Sequence, residues 1–274
     1  MSQLQKENHK KVTVKSIAGK YAKGEKLAMV TCYDAAFGKL VDKSPIDMVL
    51  VGDSLGNVML GFENTIPVTM EMMIHHGAAV SRSMSRPMVI IDMPFLSYSL
   101  SPEQALENAG LLVQQGHCEG VKLEGGKQIT RQIETIVSAG IPVAGHIGLT
   151  PQHLHALGGY RVQGRGTQDG QQLIEEARAL QDAGCFCLVL ELIPTGLAQE
   201  ITSQLQIPTI GIGAGPHTSG QVLVLHDLLG FGGEFQPRFV KHYAKIGSVV
   251  SEALEKYTEE IKSGMFPGKE HCFD

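Results

Sequence analysis

Eight short apolar runs, each followed by a polar residue or a glycine turn, limit most strongly what this chain can fold into. They are AMVTCY (28–33), DMVLVG (47–52), PMVIIDMP (87–94), GVKLEG (120–125), IPVAGHIG (141–148), CFCLVLEL (185–192), IPTIGIGAG (207–215) and QVLVLHD (221–227). The runs are rich in Val and Ile and mostly continuous rather than alternating. Continuous apolar strands need cover on both faces, as in a parallel sheet lined by helices. The segments between them carry helical spacing. Residues 65–83 predict a helix with Pro67 near its start, and Ser101-Pro102-Glu103 reads as an N-cap followed by proline at the first helical position. Further helices are predicted over 126–139, over 169–183 with Gly184 as the terminating glycine, and over 240–263.

Eight strands alternating with helices in 274 residues predict an α/β fold of the (β/α)8 barrel type. The expectation is a single domain over 1–274, with an N-terminal arm and helix over 1–26 and a C-terminal helix and tail over 240–274. An open doubly wound sheet is the alternative, but no G-x-G-x-x-G follows the first run. Residues 150–167 (TPQHLHALGGYRVQGRGT) break the repeat: they are long, glycine-rich and aperiodic, and predict a functional loop or lid.

Composition narrows the partners. The net charge of −5, from 23 basic and 28 acidic residues, offers no basic excess for nucleic acid. No apolar run approaches the ~20 residues that a bilayer needs. The N-terminal MSQLQKENHKKVTVKS is basic, carries Glu7 and has no apolar centre, so it reads as a solvated arm leading into a helix rather than a targeting peptide. Five cysteines, an odd number, do not suggest a disulfide framework, and Cys185 and Cys187 read as small core residues. A reducing, cytoplasmic setting is expected.

Ionisable residues collect at the C-terminal ends of the runs: Asp53, Asp92, Lys122, Glu124, His146 and Glu191. In a barrel these ends share one rim, where active sites of this fold lie. Lys122 and Glu124 are two apart and share the inward face, which needs charged partners; Asp53 and Asp92 are the nearest candidates. Three converging carboxylates repel unless a cation or proton lies among them, and an all-oxygen set favours Mg²⁺; a Lys122-paired cluster without metal is the other reading. Glu191 closes a very apolar strand, so partial desolvation suits it to act as a general base. It could equally pair with a basic neighbour or cap a helix. His146 is read either as a substrate contact or as a structural histidine. GIGAG (211–215) is either a phosphate cradle or a tight turn that admits substrate to the backbone. His75, His76, His153 and His155 carry little signal.

The motifs VGDSLG, IIDMPF, VKLEGG, GHIGLTPQ, GGYRVQGRG, LVLELIP and IGIGAG, in this order and over nearly the whole chain, closely resemble the ketopantoate hydroxymethyltransferase family. The resemblance implies a (β/α)8 barrel that transfers a hydroxymethyl group from 5,10-methylenetetrahydrofolate to 3-methyl-2-oxobutanoate. The product is 2-dehydropantoate, on the route to pantothenate and coenzyme A. It implies Asp53 and Asp92 as Mg²⁺ ligands, with Glu124 as a third ligand, direct or through water. Asp53, Ser54, Asp92 and Lys122 are implied as contacts of the 2-oxoacid and Glu191 as proton acceptor. A cytoplasmic homodecamer is implied as well. Two rivals remain open. A Mg²⁺-dependent 2-oxoacid lyase or mutase of the same fold would typically add a rim cysteine or an arginine cluster. Here Cys118, Cys185, Cys187 and Cys272 avoid the strand C-ends, and Arg161 and Arg165 share one loop. A non-catalytic barrel would need neither the carboxylates nor Lys122.

Overall fold

The computed structural model describes residues 10–231 and 237–273; residues 1–9 of the expected N-terminal arm lie outside them. Eight parallel strands close into a barrel in sequence order: β1 (Leu27–Thr31), β2 (Met48–Val51), β3 (Met88–Asp92), β4 (Gly120–Glu124), β5 (Val143–Gly148), β6 (Cys187–Glu191), β7 (Thr209–Ile212) and β8 (Gly220–Leu223), with β8 paired back to β1. Each strand lies within one of the apolar runs, except that Leu27 and Gly220 extend β1 and β8 by one residue. Contacts divide the chain into two compact units, one ending at Leu223 and the other beginning at Val224.

Alternation along each strand divides the side chains between two cores. Val49, Val51, Val89, Ile91, Val121, Leu123, Leu188 and Leu190 point outward and are fully buried. The helices are α1 (Val14–Ala22), α2 (Ala35–Asp42), α3 (Leu55–Val58), α4 (Met70–Ser81), α5 (Pro102–Gly116), α6 (Thr130–Ser138), α7 (Leu154–Leu157), α8 (Thr167–Asp182) and α9 (Thr195–Gln204), of which α4, α5, α6 and α8 pack against the strands. Leu27, Met29, Met48, Leu50, Met88, Ile90, Ala144, Cys187, Val189, Ile210 and Val222 form the inner core. β4 gives this core no apolar side chain, because its inward positions are Gly120, Lys122 and Glu124. The barrel interior is therefore apolar below and charged above.

Helix α1 closes the apolar end. Thr13 and Ser16 cap each other's backbone N–H groups at its start. Val12 and Ile17 join the inner core. Lys20, in the last turn, reaches Asp47 Oδ1 at 2.7 Å. Asp47 is buried at the foot of β2, where its Oδ2 accepts the Ala28 N–H at 3.0 Å and Arg86 lies 3.8 Å away.

The helices differ from the sequence expectation in instructive ways. Pro67 lies in a turn, not at a helix start, because the Thr69 hydroxyl caps Met72 N–H and begins α4 at Met70. Ser101 caps α5 as predicted, and Gly184, at φ +101°, follows α8. Helices α2 and α9 had no clear periodic signal. No helix separates β7 from β8; residues 213–219 make the return as a turn-rich loop. In the second unit, α10 (Leu225–Leu228) is a single turn, and α11 (Ile246–Ser263) begins six residues after the predicted start at 240. Four of the five cysteines are buried and all are free.

Asp47 ties α1, β1 and the Arg86 segment to the foot of β2. Asp47→Ala should lower stability by about 2–4 kcal/mol, since it leaves Lys20 and the Ala28 N–H without their acceptor and Arg86 without its counter-ion. A fall in the urea midpoint with an unchanged slope is the expected reading.

Candidate active site

The charged end of the barrel is assembled by strand register. Asp92 of β3 lies beside Lys122 of β4, Glu124 beside His146 of β5, and Gly148 beside Glu191 of β6. Ala144 is the small neighbour of Lys122 on its other side. Gly148 adopts φ +94°, and a Cβ there would collide with the Glu191 carbonyl; glycine lets that carbonyl accept the Leu149 N–H at 2.9 Å.

Lys122 is only 3% exposed. Its Nζ lies 3.3 Å from Asp92 Oδ1, 3.2 Å from Glu124 Oε1 and 3.0 Å from His146 Nδ1. Burial opposes its charge, but Asp92, Glu124 and Asp53 outweigh that and hold the lysine above its usual range. Burial and then Lys122 oppose a charge on His146, but Glu124, 3.3 Å from its Nδ1, and Glu191 outweigh them and raise the imidazole to about 9. Its Nε2 is 3.2 Å from Glu191 Oε2. Glu191 is the least buried member of the group, with its side chain 15% exposed at the mouth.

The carboxylates do not behave alike. Burial opposes ionisation of Glu124, but Lys122 and His146 more than compensate and bring it down to about 2. Both its oxygens are engaged, Oε1 by Lys122 and Oε2 by the Gln152 N–H at 3.1 Å. Asp53 is pushed well above the carboxylate range by burial and then by the charges of Asp92 and Glu124. Asp92 is raised chiefly by burial. The two are joined through the Asp53 N–H, which donates to Asp92 Oδ2 at 3.0 Å. Asp92 Oδ1 is buried and makes no hydrogen bond. Oxygen donors, excess negative charge and an Asp92 Oδ1 that faces the Lys122 ammonium but accepts no hydrogen bond fit a hard divalent cation held by two carboxylates. Among the described residues, no three His, Cys, Asp or Glu side chains are placed to enclose an ion. Ser54, at the start of α3, hydrogen-bonds the Tyr33 hydroxyl at 2.8 Å rather than capping the helix.

Residues 150–167 are not a uniform lid. They begin with a 3₁₀ turn, Pro151–His153, and then α7. Their far end is tied down where the Gln163 N–H donates to the Leu192 carbonyl at 2.8 Å, beside Glu191. Between these anchors Tyr160 is 57% exposed. Its phenol is raised by partial burial and then by Glu191, Asp53 and Glu124, so it sits within the field of the cluster. The loop also borders a cavity of about 360 Å³, lined in part by Gly125, Gly148, Thr150, His153 and Gln163.

Residues 11–269 match the family model described as ketopantoate hydroxymethyltransferase. The chain belongs to this family. A relative from Syntrophotalea carbinolica, named 3-methyl-2-oxobutanoate hydroxymethyltransferase, is 52% identical over 96% of this chain and 99% of its own. One of the same name from Ignicoccus hospitalis is 53% identical over 95% and 98%. As a member of the hydroxymethyltransferase family the chain is an enzyme. Solved structures of similar fold include a phosphonopyruvate hydrolase complex with oxalate and Mg²⁺ (TM-score 0.62, 10% identity, 96% of this chain and 92% of that one). Another is a 2,3-dimethylmalate lyase (TM-score 0.59, 15% identity, 94% and 91%). At such identities the likeness concerns the barrel alone. No helix among the described residues is long and apolar enough to cross a membrane.

The structure thus brings Asp53, Asp92, Lys122, Glu124, His146 and Glu191 together, with Ser54 alongside. GIGAG includes two glycines with positive φ, Gly213 and Gly215, and a Cβ on Gly215 would strike Thr195; a tight turn accounts for them. His153 contacts Thr150 at 3.1 Å, and His155 is exposed. Two buried residues were missed by sequence reasoning, Gln152 and Tyr98. The proline that opens a helical turn just after β5 was the available signal for Gln152; Tyr98 had none.

Lys122→Met should remove the ammonium that keeps Glu124 ionised and destabilise the enzyme by about 3–5 kcal/mol near neutral pH. Glu124 has a depressed folded pKa, so its contribution is complete above the ordinary value of 4.5 and is lost as pH falls toward about 2. The gap between wild type and variant should therefore narrow across that window in urea titrations.

Proposed function

We propose that this enzyme transfers a hydroxymethyl group from 5,10-methylenetetrahydrofolate to 3-methyl-2-oxobutanoate, giving 2-dehydropantoate for pantothenate and coenzyme A synthesis. The observation that carries the reading is the Asp53–Asp92 pair, short of positive charge, with Lys122 between Asp92 and the His146–Glu191 contact. Asp53 and Asp92 would hold Mg²⁺, with Glu124 one step back because its oxygens are already engaged. Bound there, the ion would act as a Lewis acid toward the 2-oxoacid.

The side chains of this chain supply the rest. Lys122 places positive charge where the keto oxygen gains electron density. Glu191, at the mouth and still in contact with solvent, accepts the proton from C3 of the substrate. The His146 Nε2–H group steadies that carboxylate from 3.2 Å. The electron pair left at C3 forms the new carbon–carbon bond to the one-carbon unit as its two carbon–nitrogen bonds to the folate break; water supplies the hydroxyl, and the protons from C3 and from water go to the folate nitrogens, releasing tetrahydrofolate. Ser54 and Asp53 lie where the 2-oxoacid carboxylate and keto group would be oriented. The loop carrying Tyr160 offers an exposed aromatic surface on the folate side. A cytoplasmic homo-oligomer, the decamer of the resemblance, belongs to the same proposal. It is supported by Val250, Leu254, Tyr257 and Ile261, which follow one another at helical spacing along α11 and are all exposed.

Deuterium exchange at C3 of 3-methyl-2-oxobutanoate in D₂O, followed by NMR, isolates the proton-removal step. Wild-type enzyme with Mg²⁺ should exchange, EDTA should abolish exchange, and Glu191→Gln should slow it by about 10²–10⁴-fold. Exchange at the wild-type rate in Glu191→Gln would move the base elsewhere. No exchange in wild type, with or without the folate, would overturn the transferase reading.

A further inference from the structure

Gln152 has no part in the residue set read from the sequence, yet it hydrogen-bonds two members of that set, Asp53 and Glu124. Its residue is 2% exposed. Nε2 donates to Asp53 Oδ2 at 2.8 Å and to the Met93 carbonyl at 2.9 Å. A carbonyl can only accept, so the nitrogen must face Met93, and the orientation of the amide is fixed by chemistry. The carbonyl Oε1 then faces the Tyr98 hydroxyl at 2.7 Å. That hydroxyl accepts the Glu124 N–H at 3.2 Å and lies 3.0 Å from the Glu124 carbonyl. The backbone N–H of Gln152 donates to Glu124 Oε2 at 3.1 Å. One residue therefore holds a carboxylate from the loop after β2 and another from the end of β4, and is itself held by Tyr98.

The result is asymmetric. Hydrogen bonds engage Oδ2 of Asp53 and Oδ2 of Asp92, the latter through the Asp53 N–H. Oδ1 of Asp92 is left without one. Both aspartates are thus fixed in rotation before any cation arrives, Asp53 by the hydrogen bond to its Oδ2 and Asp92 by that to its Oδ2 together with the Lys122 ammonium beside its Oδ1. Outer-shell hydrogen bonds of this kind orient ligating carboxylates and raise their affinity for metal.

We infer that Gln152, braced by Tyr98, is a positioning residue that sets the Asp53 carboxylate for a divalent cation and ties the 150–167 loop to that site. This inference rests on the two-aspartate site proposed above. Mn²⁺ binding, read from the electron paramagnetic resonance signal of the free ion, tests it on the full-length enzyme without substrate. Wild type, Gln152→Met and Tyr98→Phe would be titrated after circular dichroism had confirmed their fold. Asp47→Ala serves as a control that is destabilised far from the site.

Gln152→Met should raise the dissociation constant for Mn²⁺ about 10- to 100-fold. Tyr98→Phe should raise it less, in the same direction, and Asp47→Ala should leave it unchanged. Should Gln152→Met fail to fold, Tyr98→Phe decides: wild-type affinity in that variant overturns the inference. Folded Gln152→Met with wild-type affinity overturns it too, as does an equal weakening in Asp47→Ala, which would mark the effect as general loosening. Wild-type enzyme that takes up no Mn²⁺ overturns the two-aspartate site itself.

Discussion

Lys122 keeps its charge at a point in the barrel that water hardly reaches, and much of the surrounding structure follows from that. Burying an ammonium group carries a penalty of several kcal/mol unless good partners surround it. Asp92 comes from the neighbouring strand and Glu124 from two residues along the same strand, while His146, from the next strand over, brings a second positive charge against Glu124. Asp53 adds a further negative charge from the loop after β2. The carboxylates outnumber the ammonium, so the strain is passed on to Asp53 and Asp92, which burial and mutual repulsion push toward protonation. The proposed divalent cation would relieve that imbalance, and Gln152 keeps Asp53 from turning away in the meantime.

Much of this arrangement is legible in the sequence because period-two alternation is a strict rule. Once GVKLEG is read as a strand covered on both sides, Lys122 and Glu124 must share a face, and Val121 and Leu123 must take the other. Strand-end position then brings in Asp92, His146 and Glu191 without any long-range information. Gln152 and Tyr98 were hidden because each lies after a strand end, where no period applies and only the path of the folded chain decides what is near. Pro67 shows the converse difficulty. Proline is acceptable at a helix start, but a threonine hydroxyl two residues on captured the free N–H and moved the start. Helix α9 (TGLAQEITSQ) buries only Ala198 and Ile201, too few apolar positions to stand out as a stripe.

Structures only 10–15% identical superimpose over nearly the whole chain. Relatives above 50% identity carry a hydroxymethyltransferase name. A closed ring of strands filled with Met, Leu, Ile and Val places few demands on which of these stands where. The upper tier is different, since each buried charge requires particular partners at hydrogen-bonding distance. The barrel fold is therefore shared more widely than the hydroxymethyltransferase name.

The pairing of β8 with β1 has a consequence for how the molecule is made. Leu27 pairs with Gly220, the Tyr21 hydroxyl reaches the Leu205 carbonyl across 184 residues, and Lys26 reaches the Thr218 carbonyl across 192. Strand β1, made before the other seven, thus waits longest for its second neighbour. Until Leu223 has been synthesised, β1 is an open edge, rich in apolar residues and able to pair with other chains. Ring closure over so long a loop sets the pace of folding. The growing chain spends that interval as an incomplete sheet that depends on helices α4, α5, α6 and α8 to shield its outer face.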